Sequence, residues 1–123
     1  MELKETFTKA VRGTGEVTEA LISATAGVVK EGTNDISEIF KAVIDLGKDG
    51  IVDVTEGIKS VFVGSVNALK ESGKSVEEAV GEVTVKAEQV IGEIDEEGEE
   101  SIGKAARKGI EEAKKIIKTP FEK

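Results

Sequence analysis

The chain has no cysteine, histidine, tryptophan or tyrosine, a single proline, and four phenylalanines as its only aromatic residues. Without thiols or imidazoles there can be no disulfide, thiolate nucleophile, Cys/His zinc or haem ligation, or histidine acid–base catalysis, and without a phenol no tyrosine catalysis. Carboxylates, lysines and hydroxyls remain, and no motif organises them. The serines and threonines have no base beside them, and the glycines form neither G-x-G-x-x-G nor a complete Walker loop, since Gly73-Lys74-Ser75 lacks the upstream glycine. The expectation is a protein that is not an enzyme and takes no small-molecule substrate. Long hydrophobic runs are also missing. The longest mainly apolar stretch, Ala20 to Val29, has ten residues interrupted by Ser23, Thr25 and Gly27. It is too short to span a bilayer, and it follows mixed charges rather than a basic segment, so no targeting sequence is read there. The expected compartment is the cytoplasm, with a peripheral place at a membrane or granule surface as the variant.

Basic residues are scarce too: 17 Lys and Arg against 25 Asp and Glu give a formal charge of −8 in 123 residues. That balance disfavours nucleic acid as a partner, because a basic patch is its usual footprint. The excess is unevenly spread. Residues 74–100 hold 2 basic and 10 acidic residues (−8), whereas 101–123 hold 7 and 3 (+4). A strongly acidic stretch is followed at once by a basic tail.

What the chain does have is a period. Written in rows of eleven, the column through Ile36, Ile58, Leu69, Val80, Ile91 and Ile102 is apolar at 8 of 11 places, and so is the column through Val17, Ile39, Val61, Val83, Ile94 and Ile116. The column of Phe7, Phe40 and Phe62 holds three of the four phenylalanines, and that of Val43, Val54 and Val76 adjoins it. The column from Glu5 through Glu38 and Glu71 to Lys115 has no apolar member. Eleven residues in three turns is about 3.67 per turn, so these apolar positions stay on one side of a helix with almost no supercoil or a slight right-handed one. The reading is all-α: long amphipathic hendecad helices, packed as a bundle or as an oligomeric near-straight or right-handed coiled coil.

Breaks are expected near 32–35, 47–50, 72–75 and 96–100, within a single helical repeat domain over 1–123. Asp35 to Glu38 and Ser75 to Glu78 have capping-box spacing, and Pro120 is expected to stop the last helix. The compact version therefore has segments near 2–31, 35–71, 75–96 and 99–118. Two features lean against helix. Valine and isoleucine number 27 against four leucines, and Val61-Phe62-Val63 or Val83-Thr84-Val85 could form short strands. Fourteen glycines would cost roughly 1 kcal/mol each inside helices. Six of them, at 32, 47, 50, 73, 98 and 109, interrupt the apolar stripe, where bends, close contacts or loops are expected.

Residues 45–56 resemble an EF-hand calcium loop. Asp45, Asp49, Asp53 and Glu56 stand at loop places one, five, nine and twelve, with Gly50 at the sharp turn. Place three is Gly47, which offers no side-chain oxygen, and the competing reading makes these acids polar-face positions of the repeat or part of a plain turn. The tail over 101–118 reads as a basic amphipathic helix, with Lys104, Arg107, Lys108, Lys114, Lys115 and Lys118 beside or opposite an apolar face that includes Ile102, Ile110, Ile116 and Ile117. Such a helix suits an anionic lipid surface. Its alternative is pairing with the acidic stretch just before it or with a neighbouring subunit.

In period and composition the chain resembles proteins whose eleven-residue repeats form amphipathic helices: late-embryogenesis-abundant proteins, synucleins and lipid-droplet coat proteins. Val29-Lys30-Glu31-Gly32-Thr33 is the nearest fragment of their repeat motif. The resemblance implies helix formation on a lipid or apolar interface, or protection of membranes under stress. The residues themselves favour a structural or interaction protein that self-associates through the stripe, as a homo-oligomer or by intramolecular helix packing. The two alternatives are an amphipathic coat on a membrane, lipid body or polymer granule, and a single calcium-binding helical module. No other cofactor is expected.

Overall fold

Local signals at the helix ends set the architecture. The computed structural model describes residues 3–12, 17–32 and 35–118, with the backbone alone of Lys118. Its helices are α1 (Leu3–Arg12), α2 (Val17–Glu31), α3 (Ile36–Lys48), α4 (Val54–Glu71), α5 (Val76–Glu96) and α6 (Glu100–Lys118). Helices α3, α4 and α5 each start on a capping residue. The carboxylate of Asp35 accepts from the Ser37 N–H, Asp53 from the Glu56 N–H, and the Ser75 hydroxyl from the Glu78 N–H. At α5 the box is complete, because the Glu78 carboxylate accepts from the Ser75 N–H in return at 3.1 Å.

The ends are equally defined. Gly32, Gly50, Gly73 and Gly98 follow α2, α3, α4 and α5 with φ of 71°, 77°, 109° and 82°, a left-handed backbone that side chains disfavour. After the last three, the next N–H returns to the carbonyl five residues back: Ile51 to Leu46 at 2.9 Å, Lys74 to Leu69 at 3.1 Å and Glu99 to Ile94 at 3.2 Å. These are Schellman closures, which pair carbonyls that would otherwise be left at the helix end.

The uninterrupted helix that the repeat would allow does not form, and the chain is an all-α bundle. Where the sequence suggested one segment over 2–31 there are two helices, α1 and α2, and 35–71 is divided by the turn that contains Gly50. The stop at Pro120 lies outside the described residues. Both candidate strands are helical, Val61-Phe62-Val63 inside α4 and Val83-Thr84-Val85 inside α5, and no strand occurs among the described residues. Tertiary burial decides against the β-leaning side chains. Val61, Phe62 and Val83 are fully enclosed by neighbouring helices, and packing of this kind outweighs propensity differences of a few tenths of a kcal/mol per residue.

Helix α4 lies at the centre, packed on α2, α3, α5 and α6; α1 covers α2 and α3, and α5 joins α3 to α6. A helix surrounded on several sides must be apolar or small almost all round, and α4 buries Gly57, Ile58, Ser60, Val61, Phe62, Gly64, Ser65, Val66 and Ala68. Phe7, Phe40 and Phe62, one column of the repeat, are all fully buried, each burial contributing about 1.5–3 kcal/mol. Ile36, Ile39, Val43, Ile58, Ile91 and Ile94 join them in the core, while Val54, Leu69, Val76, Val80 and Ile102 are half-buried and packed against it. Among the described members of the four apolar columns, the exposed ones are Gly32, Gly50, Ser72, Gly73, Asp95, Gly98 and Ile116. Five of these seven are turn residues. No helix among the described residues is long and apolar enough to cross a membrane.

Candidate interaction surface

The acidic and basic segments become adjacent helices. Helix α5 turns Ala79, Val83, Ala87, Val90, Ile91 and Ile94 inward. Its outer face carries Glu77, Gly81, Val85, Glu88, Gln89 and Gly92, all exposed. Gly81, Val85, Glu88 and Gly92 are spaced four, three and four residues apart, so they form one line along the helix. Among the described residues Val85 is the most exposed large apolar one, at 56%. A side chain added at Gly81 or Gly92 would meet nothing within 4 Å, so neither glycine is required by the bundle, although each costs roughly 1 kcal/mol relative to alanine in a helix.

Helix α6 buries Ala106, Ile110, Ala113 and Ile117, a track of four, three and four residues. It lies close on α4: a Cβ at Gly109 would come within 2.6 Å of the Thr55 carbonyl oxygen, and the Thr55 hydroxyl donates to the Ala105 carbonyl at 3.0 Å. This tight seat narrows the buried face. Ile116, expected on the apolar stripe, is 50% exposed, and its neighbour Ile117 takes the inward place.

Between the basic tail and the acidic stretch, Arg107 pairs with Asp95. The other paired acids of the stretch are held elsewhere: Glu82 by Lys74 at 2.7 Å, Glu93 by Lys41 of α3 at 3.2 Å, and Glu99 by Lys48 at 2.8 Å. The Glu82 and Glu99 carboxylates hold the ammonium groups of Lys74 and Lys48 above the usual lysine value, through the hydrogen bond first and the charge second. Lys104 and Lys108 are exposed and have no ion-pair partner among the described residues; the same holds for Glu88 and Glu96. Lys114 lines the α5–α6 groove with Glu88, Gly92, Arg107 and Ile110, a cleft of about 440 Å³. Lys115 is exposed, and the side chain of Lys118 lies outside the described residues. A second open groove of about 610 Å³ runs between α3 and α5, lined by Lys41, Asp45, Lys48, Glu93 and Glu96. Both are shallow, charged surface clefts.

The four acids of the calcium reading are not brought together. Helix α3 continues through Lys48, so Asp45 is a helical residue, and Asp49 caps the end of that helix and pairs with Lys4 at 3.3 Å. Asp53 is committed to capping α4. Glu56 is committed as well: one carboxylate oxygen accepts from the Thr18 hydroxyl at 3.2 Å and the other from the Lys59 ammonium at 3.0 Å. Among the described residues no three Asp or Glu side chains are grouped so as to hold a metal ion.

Glu56 belongs instead to a polar cluster that the sequence reading missed. Lys59, with only 17% of its side chain exposed, also reaches Glu112 of α6 at 3.4 Å, so Thr18, Glu56, Lys59 and Glu112 tie α2, α4 and α6 together. The hydrogen bond to Glu56, with Glu112 adding to it, holds the Lys59 ammonium above the usual lysine value despite its partial burial. One signal in the sequence pointed here. Lys59 is the only basic residue between Lys48 and Lys70, three places after Glu56. No protein-family model, curated protein or solved structure matches this chain.

Proposed function

We propose that this chain is a non-catalytic interaction module, a helical bundle folded before it meets its partner, which it engages through outer helix faces rather than through the apolar stripe of its repeat. The observation that carries this reading is the enclosure of the stripe. Its three phenylalanines and most of its isoleucines and valines are covered by other helices of the same chain, so they are not available as a docking surface. Among the surfaces left outward are the acidic face of α5, with Val85 on it, and the basic face of α6. Self-association through the stripe would require the bundle to open.

An amphipathic coat on a membrane, lipid body or polymer granule is the second reading, and the turns favour it. Gly32, Gly50, Gly73 and Gly98 join helices whose apolar residues keep one phase, so opening these turns would present every stripe to the same surface. Circular dichroism separates the two. The module should be strongly helical in plain buffer, melt cooperatively, and keep the same spectrum when anionic vesicles are added. Helicity that arises only with vesicles would overturn the module and support the coat.

A further inference from the structure

We propose that a second copy of this chain covers the outer faces of α5 and α6, with α5 of each protomer laid against α6 of the other. The inference rests on reading the chain as a folded interaction module, and names its partner. The first argument is charge. The α5 face offers Glu88 and Glu96 and the α6 face offers Lys104 and Lys108, none with an ion-pair partner among the described residues, and the two helices are neighbours in the bundle. A chain of charge −8 repels its copies in most orientations, so a matched pair of faces selects the orientation in which they meet.

The second argument is symmetry. Asp95 pairs with Arg107, while Glu88 and Lys114 line the same groove, so α5 and α6 run antiparallel. A two-fold axis parallel to both helices and passing between the protomers places each α5 over the other protomer's α6, again antiparallel, and keeps every residue at its height, so that Glu96 comes between Lys104 and Lys108 of the other copy and Glu88 comes level with its Lys114. Such a contact is isologous and closed, which limits association to a dimer. Shape agrees with this at Gly92, which in that arrangement stands level with residue 110 of the other protomer's α6 and leaves room where the stem of its Lys108 can lie along the helix. Two helices about 30 Å long and together about 20 Å wide present a footprint on the order of 600 Å² per partner, near the ~800 Å² of stable complexes. The dimer is therefore expected to be modest in strength and sensitive to salt.

Sedimentation equilibrium of the full chain tests this. At low ionic strength the mass should approach twice 13.0 kDa, and in about 1 M salt, where the Debye length falls to about 3 Å, it should return toward 13.0 kDa. Lys104→Glu/Lys108→Glu and Glu88→Lys/Glu96→Lys should each be monomeric when alone and form a heterodimer when mixed, since mixing restores both complementary contacts. Gly92→Leu should keep the helical spectrum, because its side chain enters open space, and should lose the dimer. A monomeric parent at every salt concentration overturns the proposal, as does a dimer that survives either charge reversal or the leucine variant. A parent that is cooperatively folded yet monomeric removes this dimer alone, whereas one that lacks helix in plain buffer removes the interaction module with it.

Discussion

Gly64 on α4 and Gly81 on α5 are both helix-interior glycines, and they stand where they do for opposite reasons. A Cβ at Gly64 would come within 2.7 Å of the Ile22 carbonyl oxygen and 2.8 Å of the Thr25 Cβ, so the close approach of α2 to α4 requires its absence. Around Gly81 there is open space. The two helices differ in the same way throughout. Helix α4 is enclosed by four neighbours, and its sequence is a compromise among them, with large side chains where a gap must be filled and Gly, Ser or Ala where a backbone comes near. Helix α5 answers to the core along one face only, and its other face carries acids, Val85 and two glycines that the bundle does not need. The packing that holds the fold is thus centred on α4, and the positions that the bundle leaves unconstrained lie on the outer face of α5.

The contrast can be broken at its strongest point first. Phe62→Ala should lose about 3–5 kcal/mol in denaturant unfolding, because the side chain is fully buried in α4 and its removal leaves a cavity. Val85→Ala should change stability by no more than about 0.5 kcal/mol, and a loss as large as that of Phe62 would show that α5 is covered in the folded monomer. Gly64→Ala should cost about 1–3 kcal/mol, since the methyl group meets backbone that cannot easily move. Ser75→Ala should cost about 1 kcal/mol through loss of the α5 cap, read as a lowered melting temperature. Gly81→Ala, measured in high salt, should gain about 0.5–1 kcal/mol, opposite in sign to its α4 counterpart.

The smallest effects are those of pH. The Ser75 backbone N–H, helped by its hydroxyl, holds the Glu78 carboxyl below its ordinary value of 4.5. Its contribution is therefore present above that value and lost as pH falls through the lowered value of the folded state. The stability difference between the parent and Glu78→Gln should shrink between about pH 5 and pH 3, and a constant difference would remove the capping box from the account. Lys59 runs the other way. Its value is raised above 10.5, so its contribution is intact below that pH and is lost as the medium becomes more alkaline, and Lys59→Met should flatten the alkaline limb.

Much of this architecture was legible in the sequence, for local reasons. Ser75 and Glu78 announced a helix start, and the six glycines that interrupt the stripe marked special places: 32, 50, 73 and 98 take left-handed turns, while 47 and 109 lie against Val54 of α4 and against Thr55 and Ile58. The turns could be found because they replace apolar residues with glycine. What could not be read was which helix would be central. The burial of Gly57 against Val43, of Gly64 against Ile22 and of Gly109 against Thr55 depends on pairings across the chain, and a period of eleven says only that each helix has an apolar side. The uses of the acids in the calcium-like loop could not be read either: Asp53 and Glu56 have the spacing of ligands, and the same spacing caps α4 and positions an ion pair with Lys59. The exposed place of Ile116 was hidden too, because Gly103 and Gly109 bring α6 close to its neighbours and leave room for one apolar track instead of a broad face.

Native-state amide hydrogen exchange tests the central claim, that the repeat's apolar stripe is consumed around α4, more directly than any substitution. The amides of α4 from Ile58 to Ala68 should exchange slowest, with an opening free energy equal to that of global unfolding, while those on the outer face of α5 around Val85 exchange through smaller openings. Exchange in α4 as fast as in α1 or in the outer face of α5 would contradict the account, because a helix enclosed on four sides cannot open while the rest of the bundle stays folded.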